Sequence, residues 1–427
     1  MLNYLKKKFY KYVPVHLQQR LKTASVAAVG RLCLLIPVYR IEQAGLVVTF
    51  IGRGSYDAYL SQLMYGEGPV DCRKLGVTAV WNINKAIRKW QVQSDLVVFR
   101  DPGFQPSGEM ARDMFNLPYY VDQLTSLPPE DSDLLAAFRD PSTVSNLHKI
   151  QKAGYGYYIS SDLKELEFFY NSMYKPYILS RHRDVAKVPS WSAFRHLRED
   201  MELMLITKEG TPVAGAINFQ CGDSYMGYAN GVLNADPLLL KAGVLSAIYW
   251  FGIVEAHRRG CQTFNLGSSR PFLKNGVLAY KKKWNGHVAI DDNSSEFRLF
   301  TNGSKAAQRF FEATPFICRH NNQLLSLVFL GEHVQLDDKG LSSYLRACLL
   351  QGEQLSTWII LLSEDWSARK ESIQTICRGA TRTPRIIDFT QKTLDELPDL
   401  IRQSTELQQQ FDSLANRKVR VPSITKQ

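Results

Sequence analysis

The sequence predicts a mixed α/β protein of several lobes. Three features carry this reading: short strand candidates alternate with helices between about residues 42 and 125; from residue 202 three short strands follow one another across glycine-containing turns; and a nearly all-apolar helix after residue 237 leads directly into a short buried strand. Alternation argues for α/β layers, and closely spaced short strands argue for antiparallel hairpins. At 427 residues the chain exceeds one ordinary domain and suggests two or three. A composition 45% hydrophobic and 22% charged can fill a core and argues against disorder.

Residues 1–40 read as a basic, amphipathic helical arm, with Leu2, Leu5, Phe9, Tyr12 and Val13 near helical spacing. Eight basic residues (Lys6, Lys7, Lys8, Lys11, Arg20, Lys22, Arg31, Arg40) precede the first acid, Glu42. Such an arm either lies on an anionic membrane surface or packs on its own domain. The apolar stretch 24–38 is interrupted by Arg31 and too short to span a bilayer, and it lacks the cleavage site of a secretory signal.

In the next segment Gly45–Ile51 and Asp95–Phe99 read as buried strands and Asn82–Trp90 as a helix. The run Ser126–Ser132 resets the chain. Leu134 to Ala153 reads as helix, Pro141 break and second helix, and Ser161-Asp162 with Glu165 opens a long helix through about Tyr177. Its basic tail is Arg181-His182-Arg183.

Strands then follow at Glu202–Thr207, Pro212–Phe219 and Tyr225–Asn230. Asp236 and Pro237 start a helix that ends at His257-Arg258-Arg259-Gly260. It is apolar on nearly every face, so it reads as sandwiched inside the protein rather than as a membrane span. Thr263–Leu266 is a buried strand, Gly276–Trp284 a short helix and His287–Ile290 a closing strand. Beyond 300 the chain reads as helix-rich, with strands at Trp358–Leu362 and Arg385–Phe389 and a polar tail.

The formal net charge of +11 favours anionic partners such as nucleic acid, phosphorylated cofactors or an anionic membrane. The seven cysteines are scattered, odd in number and never spaced CxxC, so neither a disulfide framework nor a zinc site follows. They fit free thiols in a reducing compartment, and no metal is expected. No Walker loop, Ser-His-Asp order or aromatic-basic stacking motif stands out. A covalent acyl-enzyme through Cys221 or Cys261 has no support beyond the presence of a thiol.

The order meander, long helix, buried strand, short helix, last strand resembles the core of GNAT-fold acyltransferases. Within it, Phe138-Arg139-Asp140 with Ile150–Gly154, and Phe264-Asn265-Leu266-Gly267 followed by Asn275-Gly276-Val277 and Tyr280–Trp284, are similar to the Fem-type branch. The resemblance covers 130–295 well and 42–130 weakly. It implies tandem GNAT-like lobes with a C-terminal accessory α/β region, divided as a 1–41 arm, a degenerate first lobe at 42–130, an acyltransferase lobe at 131–299 and an accessory region at 300–427. It further implies an N-acyltransferase that moves an acyl or aminoacyl group directly onto an amino group of a cell-envelope or surface-polysaccharide precursor. The donor is acyl-CoA or aminoacyl-tRNA, and the place of action is the cytoplasm, with peripheral membrane contact through residues 1–40. The usual Gln/Arg-x-x-Gly-x-Gly/Ala signature is absent. Its nearest approach is Leu240–Leu245, which points toward a charged tRNA as donor. The same absence leaves a rival reading, a GNAT-fold scaffold or binding module without a donor site.

Acyl transfer to an amine requires a neutral acceptor, a polarised donor carbonyl and donors where the oxyanion forms. The resemblance assigns the electrostatic work to Lys281 and places Tyr280 beside it as a proton donor to the leaving group. On the residues alone, Lys281 reads as one of three solvated lysines and Tyr280 as core. Lys241 and Gly243, at the start of the long helix, can hold a phosphate, or Lys241 can simply snorkel. Asn265, Ser268 and Arg270 follow a buried strand at an end where α/β folds place ligands. Arg139, Arg181 and Asn230 are candidates for acceptor binding.

Overall fold

The computed structural model describes residues 34–53, 58–66, 68–101, 103–182, 186, 188–195, 201–291, 294–320 and 322–405. Residues 1–33 of the expected arm, Arg183 and the tail from 406 lie outside the described residues. The last part of that arm is not helical. Leu35–Gln43 is strand β1, in which Ile36, Val38 and Ile41 are buried between more exposed neighbours. The period is near two, so the β-branched run pairs as a strand.

In chain order β1 is followed by β2 (Leu46–Ile51), α1 (Ala58–Tyr65), β3 (Cys72–Ala79), α2 (Ile83–Gln93), β4 (Leu96–Phe99), β5 (Phe115–Pro118) and β6 (Val121–Ser126). Helix α3 (Pro141–Lys152), capped by Asp140, and β7 (Tyr155–Ser160) come next. The expected long helix runs as Leu163–Phe168, a π-helical turn over Phe169–Tyr174, and α4 (Lys175–His182).

The meander forms β8 (Glu202–Lys208), β9 (Thr211–Cys221) and β10 (Ser224–Val232). Glu209 and Gly210 both have positive φ, the two-residue turn that suits hairpin twist. Asp236 caps Leu238 N–H as expected. The helix it opens stops at Lys241, however, because Gly243 takes a left-handed φ of 90°. Helix α5 (Val244–Arg258) begins afresh there and packs between the strands and α3. Then come β11 (Thr263–Ser269), α6 (Gly276–Lys282), β12 (His287–Ile290) and β13 (Glu296–Thr301).

The third region holds α7 (Lys305–Ala313), β14 (Phe316–His320), β15 (Gln323–Leu330), α8 (Asp338–Cys348), β16 (Leu355–Leu361), α9 (Lys370–Cys377) and β17 (Arg385–Asp388). It is therefore an α/β layer with four strands, β14-β15-β16-β17, rather than a helix-rich region with two. The last three strands run parallel.

Two further sheets carry a repeat. One has the order β3-β1-β2-β4-β13-β5 and the other β12-β6-β11-β10-β9-β8-β7. In each a parallel pair, β2 with β4 or β10 with β11, is joined by a crossover, through α1, β3 and α2 in the first and ending in α5 in the second, and the next strand of the same unit lies two places on. The place between is filled from the other unit. β13 lies between β4 and β5, and β6 lies between β11 and β12. The two units thus exchange their last strands.

The expected span 202–291 does lie in one mixed sheet with α5 against it, but β12 joins that sheet only through β6. Linear boundaries at 41/42, 130/131 and 299/300 do not separate the sheets. β1 straddles the first boundary, and β6 and β13 each cross to the partner unit. The largest core cluster runs from Ile41 to Ile401, joining the first unit to the C-terminal layer.

Candidate active site

The site is set by where a ladder stops. β10 and β11 pair in parallel for three residue pairs only, from Ser224↔Thr263 to Met226↔Asn265. Beyond that level both strands are irregular. β10 shifts register between Gly227 and Ala229, β11 shifts between Asn265 and Ser268, and Gly267 takes a φ of 83°. The ladder lapses there, although a Cβ on Gly267 would still sit 3.2 Å from Gly227 O, and main-chain groups that a ladder would satisfy need other partners.

Lys281 supplies them. From the last turn of α6 its Nζ donates to the carbonyls of Gly267 at 2.7 Å and Ser268 at 2.9 Å. The side chain is 3% exposed, contrary to the solvated lysine expected. Asp122, on the exchanged strand β6, completes the cluster. It accepts from Asn265 Nδ2 at 3.1 Å and Ser268 Oγ at 2.8 Å, while Asn265 Oδ1 accepts from Gly267 N–H. Asn265, Ser268 and Lys281 are therefore brought together, around a carboxylate that the sequence reading missed.

Burial strips water from the Lys281 ammonium and lowers its pKa from 10.5 to about 7, although Asp122 works to raise it. The linkage has a definite sign. Between pH 7 and 10.5 the unfolded chain holds a proton that the folded chain has released, so stability rises with pH in that window. The slope is at most about 1.4 kcal/mol per pH unit. Urea midpoints at pH 7 and 9 should show the rise, and Lys281→Met should remove it. An unchanged slope in the variant would show that another group is responsible.

A second cluster forms where α5 starts. The first intrahelical bond is Ala247 N–H to Gly243 O, so the preceding first-turn N–H groups point out of the helix end. The Tyr280 hydroxyl lies 2.8 Å from Ser246 Oγ in that turn, and burial raises its pKa. Tyr249, one turn on, packs at 5.5 Å from the Tyr280 ring; burial raises its pKa, and the Asn230 amide of β10 works to lower it. Tyr177 of α4 adds to the rise in both tyrosines, and the Arg181 guanidinium lies 5.9 Å over the Tyr177 ring. Lys241 is exposed two residues before Gly243, and a Cβ on Gly243 would sit 3.6 Å from Lys149 of α3. Tyr280, Gly243, Lys241, Asn230 and Arg181 thus gather around one helix end. Ser246, Tyr249 and Tyr177 were not foreseen, because tyrosines in apolar helices carry only a core signal.

Two expected residues lie elsewhere. Arg270 turns to the first unit, where its guanidinium stacks on Tyr59, Tyr119 and Tyr120 at 4.5, 3.8 and 4.6 Å and donates to the Tyr119 hydroxyl. It joins the two units and does not reach the end of the β10/β11 ladder. Arg139 is exposed ahead of α3 and donates to Ala136 O. Among the described residues no group of three His, Cys, Asp or Glu could hold a metal ion.

Residues 161–282 match the model of the acetyltransferase (GNAT) domain family. The matched span holds β10, β11, α5 and α6, whereas β6 with Asp122 lies outside it. No curated protein matches the sequence. Among solved structures, the chain is similar to L-PGS from Bacillus licheniformis at 10% identity and a TM-score of 0.33, over 65% of this chain and 84% of that one. It is similar to FemX at 14% identity and a TM-score of 0.33, over 61% and 83%. A third is the ribosomal-protein-S18-alanine N-acetyltransferase from Escherichia coli, at 19% identity and a TM-score of 0.23, over 34% and 94%.

Proposed function

We propose, from the premise that residues 161–282 carry a GNAT acyltransferase domain, that the chain transfers an acyl or aminoacyl group directly onto an amino group of a cell-envelope or surface-polysaccharide precursor. The observation that carries this reading is the parallel ladder β10/β11, which ends after three residue pairs, with Tyr280, beside Lys281, in hydrogen-bond contact with Ser246 in the first turn of α5. Strands whose ladder has lapsed offer main-chain groups to an extended, amide-bearing donor. The helix end and Lys241 offer N–H groups and a cation to its phosphates. Acyl-CoA has both the amide-bearing arm and the phosphates, aminoacyl-tRNA has the phosphates alone, and the net charge of +11 favours the larger polyanion. Both donors are made in the cytoplasm, and the reading places the reaction there. Among the described residues no helix is long and apolar enough to cross a membrane.

In this reading Tyr280, linked to Ser246, protonates the leaving group. Lys281 holds the carbonyls of Gly267 and Ser268 so that the ladder does not resume, with Asn265, Ser268 and Asp122 fixing the same bend. Asn230 and Arg181, at the far side of the tyrosine cluster, face the acceptor. Tyr280→Phe should lower kcat by about 10²-fold with little change in KM, the usual scale for losing a proton donor. The assay is turnover with purified CoA thioesters and charged tRNAs against amino-sugar and peptide acceptors. A KM effect alone would make Tyr280 a binding residue.

The rival reading is a scaffold without turnover. It is favoured by the engagement of Lys281 Nζ with two main-chain carbonyls and by the missing glycine signature at Leu240–Leu245. Absence of turnover and of binding with both donor classes would establish it.

A further inference from the structure

We propose that the face formed by β3 and α2 docks on an anionic lipid surface. β3 is the outer strand of its sheet, and five of its residues in succession, Arg73 to Val77, are exposed. Beside it α2 presents Lys85, Lys89 and Val92 as one stripe, with Trp81 just ahead of the helix. A groove of about 440 Å³ lies between them, lined by Leu75, Val77, Lys85, Lys89 and Trp90 among others. Large apolar side chains stand in solvent here: Trp81 is 71% exposed, Val92 83% and Val77 55%.

Charge selects the occupant. Residues 72–93 contain five cations (Arg73, Lys74, Lys85, Arg88, Lys89) and no acid, and of these Arg88 is paired with Glu109 at 2.6 Å. Lysine on a sheet edge can serve merely to block pairing, but that does not account for Trp81 and Val92 on the neighbouring helix. Residues 1–33 hold seven Lys or Arg and no acid, so their charge does not complement this face. A second copy would bring the same five cations against each other. Anionic lipid satisfies both features, because headgroups neutralise the cations while an indole and short aliphatic side chains enter the interface. This inference is independent of the acyl-transfer reading, since none of these residues belongs to the candidate site.

The test uses the full chain with phosphatidylcholine vesicles, with and without phosphatidylglycerol and with brominated acyl chains. Of the seven tryptophans, Trp284, Trp358 and Trp366 are buried and Trp90, Trp191 and Trp250 half-buried, so bromine should quench mainly Trp81. Quenching should appear only with the anionic vesicles and be lost in Trp81→Phe. Lys85→Ala with Lys89→Ala should weaken binding in sedimentation by roughly 30-fold, at about 1 kcal/mol for each of the two cations. Turnover on a soluble acceptor should be unchanged in both variants, which separates failure here from failure of the acyl-transfer reading. Quenching that survives Trp81→Phe, or sedimentation indifferent to the two lysines, would assign membrane binding to another part of the chain and overturn the proposal. So would self-association through this face without vesicle binding.

Discussion

A chain that starts at Leu127 should fail to fold, and should recover its fold when residues 1–126 are supplied as a second chain. Strand β6 pairs with five residues of β11 and four of β12, and no other strand joins those two. Its Val121, Gln123 and Thr125 are fully buried. Gln123 donates to Leu278 O and Thr125 to Trp284 O, so loss of β6 removes one buried donor from α6 and one from its exit. Burying Val121 is worth about 1.5–3 kcal/mol. Each orphaned buried acceptor costs roughly 1–3 kcal/mol. The same cut removes β1, β2 and β4 from the core that also holds Phe316 and Trp358. These losses together, roughly 3.5–9 kcal/mol, are comparable to a typical domain stability of about 5–15 kcal/mol, and the lost core adds to them. Circular dichroism and limited proteolysis of the shorter chain should show no cooperative unfolding, and the two pieces expressed together should co-purify. If the shorter chain unfolds cooperatively by itself, the exchanged strand is an ornament rather than a part of the second unit.

That dependence also explains which features could be read from the sequence. Local punctuation was legible: Asp162 and Asp236 cap helices where their spacing placed them, and the meander from 202 lies where its turns put it. Continuous apolar runs were not. Leu324–Leu330 has no decisive period and proved to be a buried strand, and Leu238–Val254 hid the left-handed Gly243 inside an otherwise helical run. Strand exchange is beyond any local signal, because nothing near Val121 states that its partners lie about 140 residues away.

The candidate site divides in the same way. Tyr280 and Lys281 were reached by resemblance in a contiguous stretch, and Asn265 and Ser268 by their place after a strand. Asp122 was missed because it arrives on the exchanged strand. Arg270 was misplaced because a bidentate cation and a stacked one look alike in sequence. Only its three tyrosines distinguish them, and they come from the first unit.

Lys281→Met should lower turnover by about 10²-fold or more, the scale on which removal of one preorganised donor acts. Methionine keeps most of the buried volume, so the loss isolates the ammonium from packing. Without it, Gly267 O and Ser268 O lose their donor and Asp122 loses its cation, which frees β11 to relax toward β10. Stability should respond in two opposed ways: the carbonyls are left wanting, but a costly buried charge is gone. The net change at neutral pH should therefore be smaller than the change in rate, and the variant's deficit should grow as pH rises toward 10.5, because the wild type gains stability in that window and the variant does not. Lys283→Ala is the neutral comparison, because that side chain is exposed. Lys282 is not, since its Nζ donates to Arg346 O at 2.5 Å at the end of α8. Lys282→Ala should cost about 0.5–1.5 kcal/mol of stability and leave turnover intact. Equal, mild losses from all three substitutions would mean a generic basic surface. Full activity in Lys281→Met would mean that the bend in β11 holds its shape without it.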